Sequence, residues 1–456
     1  MLDLTTGSLT RHLLKTTGFM LVTMLFQTLY VLVDLYWVGR LGTEAVAAVG
    51  IGGNLMFVVL AATQMLAVGT TTLVSHAVGR KDRERAARVF NQAQVLSLAV
   101  GVVFLAATMA AQSTYARMMS ADALTTRLTN EYLTWMIPAM SLQFALIAMG
   151  AGLRGTGNFR PGMVVQTATV LINLVLAPFL IFGWGTGVAL GVAGAAIASF
   201  VAILIGVAWM VLYFLPPDAY LKFQFDTWRP DVALWRSMLK IGLPSGAEFA
   251  LMAVYLVIVY AVTRPFGAAA QAGFGIGMRI IQACFLPVVA LGFAVGPVAG
   301  QNFGARQGQR VKQTFRDAAA LAAAGMLLLA VAVWFQGDIM VRAFSSDPGV
   351  IAVGEEYLHI IAFNFVASGV IFVSSSMFQA MGNTIPSLIT SVTRIALVAV
   401  PVLLLAQRPG FTLRWIWYIS VAGVFVQLLL NMLLLRREFR LRLAFDPPPV
   451  ASPTAA

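Results

Sequence analysis

Charge is what this chain has least of. Only 11% of its 456 residues are Asp, Glu, Lys or Arg, and 59% are hydrophobic. Soluble domains average about 25% charged residues, so that class is excluded. The chain has one cysteine, Cys284, which rules out an internal disulfide. Its three histidines, His12, His76 and His359, show no metal-ligand spacing, so no metal or other cofactor is expected. There is no HExxH, no GxxxxGK[ST], and no supportable Ser/His/Asp set. Enzymatic chemistry is therefore not expected. Without a phosphate-binding loop, any active transport has to run on an ion gradient.

What the chain does have is apolar runs of about 20 residues, recurring along its length. They are apolar on every face, so they do not fit the short alternating strands of a membrane β-barrel. The pattern predicts an all-α polytopic protein of the lipid bilayer. Twelve helices are expected, at about 13–38, 45–70, 89–111, 130–152, 162–182, 188–214, 238–263, 270–300, 315–335, 356–379, 386–406 and 413–435. The opening residues, MLDLTTGSLTRHLLK, lack a short apolar core followed by a cleavage site, so no signal peptide is expected. Basic residues are distributed unevenly. One set of loops holds 21 and the opposite set 7, with Arg279 and Arg394 left inside helices. The positive-inside rule then predicts both termini in the cytoplasm. The net charge of +12 is accounted for without a nucleic-acid partner.

Displaced by 225 residues, the chain meets itself. GTEAVAAVGIG (42–52) faces GAAAQAGFGIG (267–277) with six identities in eleven, and EYL at 131 faces EYL at 356. Gly157, Asn158 and Pro161 face Gly382, Asn383 and Pro386 in the same register. Each unit holds six helices, so the copies are parallel repeats about an axis along the membrane normal. The expected organisation is an N-lobe at 1–215, a cytoplasmic inter-lobe loop at 216–237, a C-lobe at 238–440 and a disordered tail at 441–456. Two such lobes suit a transporter, with substrate bound near mid-membrane at the repeat interface and access alternating as the lobes rock.

Among 18 acids, Asp34 and Glu248 stand out because they fall inside apolar helices. A charge at the bilayer centre costs about 2.5–3.5 kcal/mol on insertion scales, so it usually faces a cavity or a partner. Asp34 shares a helix face with Tyr30 at i−4 and Gln27 at i−7, which reads as a cavity lining. An acid held there can exchange a proton near neutral pH; the alternative is an interfacial acid paired with Arg40. In the repeat, Asp34 corresponds to Val259 and Glu248 to Thr23, so neither acid is demanded by the scaffold twice. Glu248 follows Pro244 and reads either as a cavity residue or as an acid placed by a helix dipole. Arg279 and Arg394 read as structural cations or as partners for the acids. His76 and His359 read as interfacial. Asn173 is a candidate cavity residue, and Pro178 on the same helix a candidate bend. The 21 Met and 30 Phe would suit a pliable apolar site.

VDLYWVGRLGTEAVAAVGIG, RGTGNFRPGM, GVALGVAGAAIASF, GFGIGMRIIQACFLPVVALGFAVGPVAGQNFGARQ and FQAMGNTIPS together resemble the multidrug and toxic compound extrusion (MATE) family, in order, over about residues 10 to 440. The resemblance implies a two-lobed antiporter of the bacterial cytoplasmic (inner) membrane. It would expel small cationic, amphipathic compounds in exchange for protons or sodium, and is expected to act as a monomer. It also implies that Asp34 is the ion-coupling aspartate of helix 1, and that Asn173 belongs to the same cavity. Many relatives carry an Asp where this chain has Ala177, just before Pro178. Glu248 lies about one turn early for the C-lobe acid of the NorM-like branch, and NFVASGVIFVSSSMFQAMG lacks that branch's second acid. Both departures point to the DinF-like branch and to proton coupling centred on Asp34. The rival readings are a sodium-coupled exporter, a lipid-linked oligosaccharide flippase of the same fold superfamily, and a membrane-embedded enzyme.

Overall fold

A computed structural model describes residues 2–185 and 187–445. Among these residues the regular structure is helical. Thirteen α-helices run as α1 (Leu9–Gly39), α2 (Thr43–Gly79), α3 (Arg83–Met119), α4 (Ala123–Gly155), α5 (Arg160–Phe182), α6 (Gly191–Tyr213), α7 (Val232–Thr263), α8 (Ala268–Gly304), α9 (Gly308–Arg342), α10 (Pro348–Ala362), α11 (Asn364–Ala380), α12 (Ile385–Leu405) and α13 (Leu413–Arg442). Eleven are long and apolar enough to cross a membrane alone. The pair α10 and α11 bends by 56° at Phe363 and makes the twelfth span. The chain is a multi-pass membrane protein. The expected helices are present, and several run well past the apolar runs that announced them. α2, α3 and α8 each reach 37 residues, because polar turns at their ends continue the helix beyond the hydrocarbon zone.

Capping explains several of the helix starts. Ser8, Asp82, Asp122, Asp231 and Asp347 each accept a backbone N–H from the first turn of the helix they precede. Asp231 also pairs with Arg88 at 2.7 Å. The N–H of Leu234 holds its carboxyl below the usual aspartate range, with Arg88 helping. The inter-lobe connection is not loose. Asn91 and Gln92 of α3 hydrogen-bond Lys222, Gln224, Thr227, Trp228, Arg229 and Asp231, fixing its course. It also ends earlier than its composition suggested, since α7 begins at Val232. Of the expected tail, residues 441 and 442 complete α13, and those beyond 445 lie outside the described residues.

Two hydrophobic cores form, one per repeat. The first is built from the end of α1 and from α2 to α6, and the second mainly from α7 to α13. They exchange ends. Leu4, Leu9 and Leu13 enter the core of the second repeat, while Leu234 and Met238 enter that of the first. Leu9 and Leu13 lie 225 residues before Leu234 and Met238, so the exchange is itself duplicated. Here the lobes touch closely. A Cβ on Gly242 would lie 1.9 Å from the Met65 carbonyl oxygen, and one on Gly304 would lie 2.3 Å from that of His76. Only glycine permits such backbone approach. Gln301 binds both sides of the seam, accepting from the Leu4 N–H and donating to the Gly155 carbonyl, each at 3.0 Å. Thr10 donates to Asp317 at 2.8 Å and Thr72 to the Gln379 carbonyl at 3.0 Å. All hydrogen bonds between the lobes among the described residues lie in the half of the molecule that carries the termini.

Candidate functional site

α1 brings Gln27, Tyr30 and Asp34 onto one face, as their spacing predicted. Gln27 and Tyr30 line a cavity of about 400 Å³ inside the first lobe, walled by α1, α2, α4, α5 and α6. Asn173 lines it from α5 and is buried. Ser199 of α6 joins them: Tyr30 Oη lies 2.7 Å from Ser199 Oγ, and Asn173 Nδ2 donates to the same oxygen at 3.1 Å. Ser199 in turn donates to the Ala195 carbonyl. Three helices are thereby tied at one hydroxyl. Sequence reading missed Ser199, since nothing local marks a serine on an Ala/Gly-rich helix. Only the meeting of α1, α5 and α6 gives it a role.

Asp34 sits one turn further along α1, away from the termini. It is 8% exposed, and its Oδ1 is buried without a hydrogen-bond partner. Its carboxyl is within electrostatic reach of Tyr30 and Tyr132. Among the described residues no cation pairs with it. Arg40, the alternative partner, instead covers the rings of Tyr36 and Trp37 at 4.7 and 5.3 Å and donates to the Tyr36 hydroxyl. Ala177, where relatives of the resembled family carry a second acid, is fully buried.

Glu248 does not join this set. α7 begins sixteen residues before it, so the helix-dipole explanation fails. Its carboxyl lies in the second lobe beside Ser387 and within electrostatic reach of Arg394. Glu248 Oε1 and Arg394 Nε are both buried and unpartnered, and the Arg394 guanidinium stands 5.7 Å from the Tyr255 ring centre. Nearby, Ser387 donates to Ser375 and Thr390 to Asn431, at 2.7 and 2.9 Å. Pro178 lies inside α5, where it leaves the Leu174 carbonyl without its helical N–H. His76 is not interfacial but buried: its Nε2 donates to the Ala380 carbonyl at 2.6 Å, across the lobe boundary. His359 meets the Trp334 carbonyl at an exposed position. Among the described residues no group of three His, Cys, Asp or Glu could hold a metal ion.

A second cavity, of about 280 Å³, lies between the lobes. α1, α2, α4 and α5 meet Phe249 of α7 and Phe293 of α8 there. It shares Gln27, Leu60, Thr63, Leu146, Ile147 and Gln166 with the first cavity, so the two adjoin. Arg154, two residues past the helix expected at 130–152, lies on α4 and lines this cavity.

Comparison with known proteins places this geometry. The MatE family profile matches residues 20–179 and 244–405, one block in each repeat. The "Probable multidrug resistance protein YpnP" of Bacillus subtilis (strain 168) is 25% identical over 390 residues, covering 83% of this chain and 86% of that protein. The "Multidrug export protein MepA" of Staphylococcus haemolyticus (strain JCSC1435) is 25% identical over 406 residues, 88% of each chain. The "FAD transporter" of Shewanella oneidensis is 24% identical over 380 residues, with 81% and 82% covered. Among solved structures, the outward-facing conformation of a multidrug resistance MATE family transporter of the MOP superfamily superposes with a TM-score of 0.89 at 24% identity. It covers 96% of this chain and 98% of the other. A MOP superfamily transporter from Pyrococcus furiosus gives the same score and coverage at 23% identity. At such identities these structures establish the shared fold.

Proposed function

This chain belongs to the MatE family, and from that premise we propose that it is a secondary multidrug exporter that expels cationic amphipathic molecules in exchange for protons. It works from the bacterial cytoplasmic membrane with both termini inside. The orientation rests on the 21 to 7 partition of basic residues. With the lobes joined on the terminal side, the structure then corresponds to the state open to the outside. The observation that carries the reading is the buried, unpartnered Asp34 carboxyl one turn beyond the Tyr30–Asn173–Ser199 cluster.

The cycle follows from charge balance. Facing inward, an ionised Asp34 supplies the negative site that a cationic substrate needs. Facing outward, a proton from outside neutralises it, and the substrate loses its counter-charge and leaves. The protonated acid crosses back with no uncompensated charge and releases its proton inside. Proton coupling and membership of the DinF-like branch draw support from the second lobe, where Glu248 lies about one turn early for the NorM-like acid and NFVASGVIFVSSSMFQAMG carries no second one. The assay is drug transport in vesicles under an imposed pH gradient, with Asp34→Asn as the variant. Normal export by that variant overturns the mechanism. Export that follows an imposed sodium gradient instead of the proton gradient replaces the coupling ion and keeps the site.

A further inference from the structure

The inter-lobe cavity has the opposite polarity to the Asp34 end. No Asp or Glu lines it, and its one ionisable side chain is Arg154. Arg154 makes no side-chain hydrogen bond or ion pair among the described residues. An arginine keeps its charge under all physiological conditions, so this guanidinium holds a positive charge that the protein leaves uncompensated. Gln27, Gln64 and Gln166 line the same cavity with their amides equally unengaged. The first turn of α5 also opens onto it, preceded by Phe159, which supplies no capping side chain. The N–H groups and dipole of such a helix start favour an anion. The far wall is apolar, with Phe249 and Phe293.

We infer that Arg154 forms an anion subsite within the transport cavity, and that the protein's ligands include amphipathic molecules carrying a carboxylate or phosphate group. The inference rests on the exporter reading and extends its substrate class beyond simple cations. An aromatic body lies against Phe249 and Phe293. Its anionic group takes the bidentate donors of Arg154, which suit a planar carboxylate, with the glutamine amides alongside. Because the cavity adjoins the one lined by Tyr30, a zwitterion with its anion at Arg154 directs its cation toward the Asp34 end.

The test is equilibrium binding to the purified full chain in detergent, read by fluorescence polarisation without any ion gradient. The probes are a rhodamine with a free carboxylate and its methyl ester, which share the cationic ring system and differ in the anion. Arg154→Gln is expected to weaken the carboxylate dye about tenfold or more while changing the ester less than about twofold. Arg154→Lys keeps most of the affinity. Gln64→Glu, which sets an internal carboxylate in the same cavity, produces the same selective loss and stands in if Arg154→Gln does not fold. Equal weakening of both dyes, or of neither, overturns the inference. Binding of the carboxylate dye without any export breaks the exporter reading and leaves the subsite standing.

Discussion

The two lobes use one scaffold to hold two different charge arrangements. Tyr30 and Tyr255 are separated by 225 residues, and each meets a serine on the last helix of its lobe, Ser199 at 2.7 Å and Ser420 at 3.0 Å. Tyr132 packs on Gly52 as Tyr357 packs on Gly277, again 225 apart. Around this shared frame the ionisable residues diverge. The first lobe has Asp34 with no cation paired to it among the described residues; its counterpart in the second, Val259, is core. The second lobe has Glu248 with Arg394 in reach, where the first has Thr23 and Thr169. Asn173, at the polar cavity, corresponds to Val398, which is buried apolar packing. An acid with an internal cation can stay ionised without a ligand. An acid without one has to recruit its counter-charge. On the exporter proposal, the difference assigns the response to a gradient to the first lobe.

The sharpest way to break this contrast is to neutralise each acid in turn. Asp34→Asn is expected to reduce pH-gradient-driven export to background, and Glu248→Gln to lower it less than about threefold. Equal loss in both, measured in the same vesicles, removes the distinction between the lobes. Next in size is the transplant Val259→Asp. It places an unpaired carboxyl in a core and is expected to cost about 3 kcal/mol or more. The loss is read as a lower melting temperature in detergent, and the variant gains no second coupling site. A seam variant comes third. Gly242→Ala sets its Cβ against the Met65 carbonyl and keeps the terminal side from closing. Cysteines placed on the terminal side of the cleft should label faster, and export should fall several-fold. A smaller effect is expected from Tyr30→Phe, which frees Ser199. Its cost of about 1 kcal/mol should raise the drug KM a few-fold, while Tyr255→Phe leaves KM unchanged.

The smallest effect lies outside the membrane. Asp231 has a depressed folded-state pKa, so its contribution to stability is present above the unfolded value, about 3.9, and is lost as pH falls through the lower folded value. Asp231→Asn should remove this acid-side slope from thermal melts and leave the neutral-pH profile of export alone.

The fold was legible because it is written in long apolar runs and in a repeat whose register does not slip. Asp34, Tyr30 and Gln27 were legible because one helix brings them together, and helical spacing is local information. Ser199 and His76 were not, since their partners come from distant helices or from the other lobe. Arg154 falls beyond the helix expected at 130–152, because Gly152, Gly155 and Gly157 interrupt the apolar run. In the structure Gly152 and Gly155 are packing sites on α4, where Phe90 and Val74 press against the helix. The start of α7 was set too late for a related reason. Its first two turns carry Trp235 and Arg236, which read as loop, yet Leu234 and Met238 on the same turns are buried in the opposite core.

Those buried turns constrain how such a chain could arise and how it can be divided. Each half lends the beginning of its first helix to the other, so neither half has a complete interior alone. An ancestral single-repeat protein would have needed a twin, the two trading helix ends as domain-swapped partners do. Fusion of the genes would then have made that trade permanent. The same exchange makes the chain divisible only in company. Cut within the connection before Val232, the halves should fold when produced together and aggregate when produced apart.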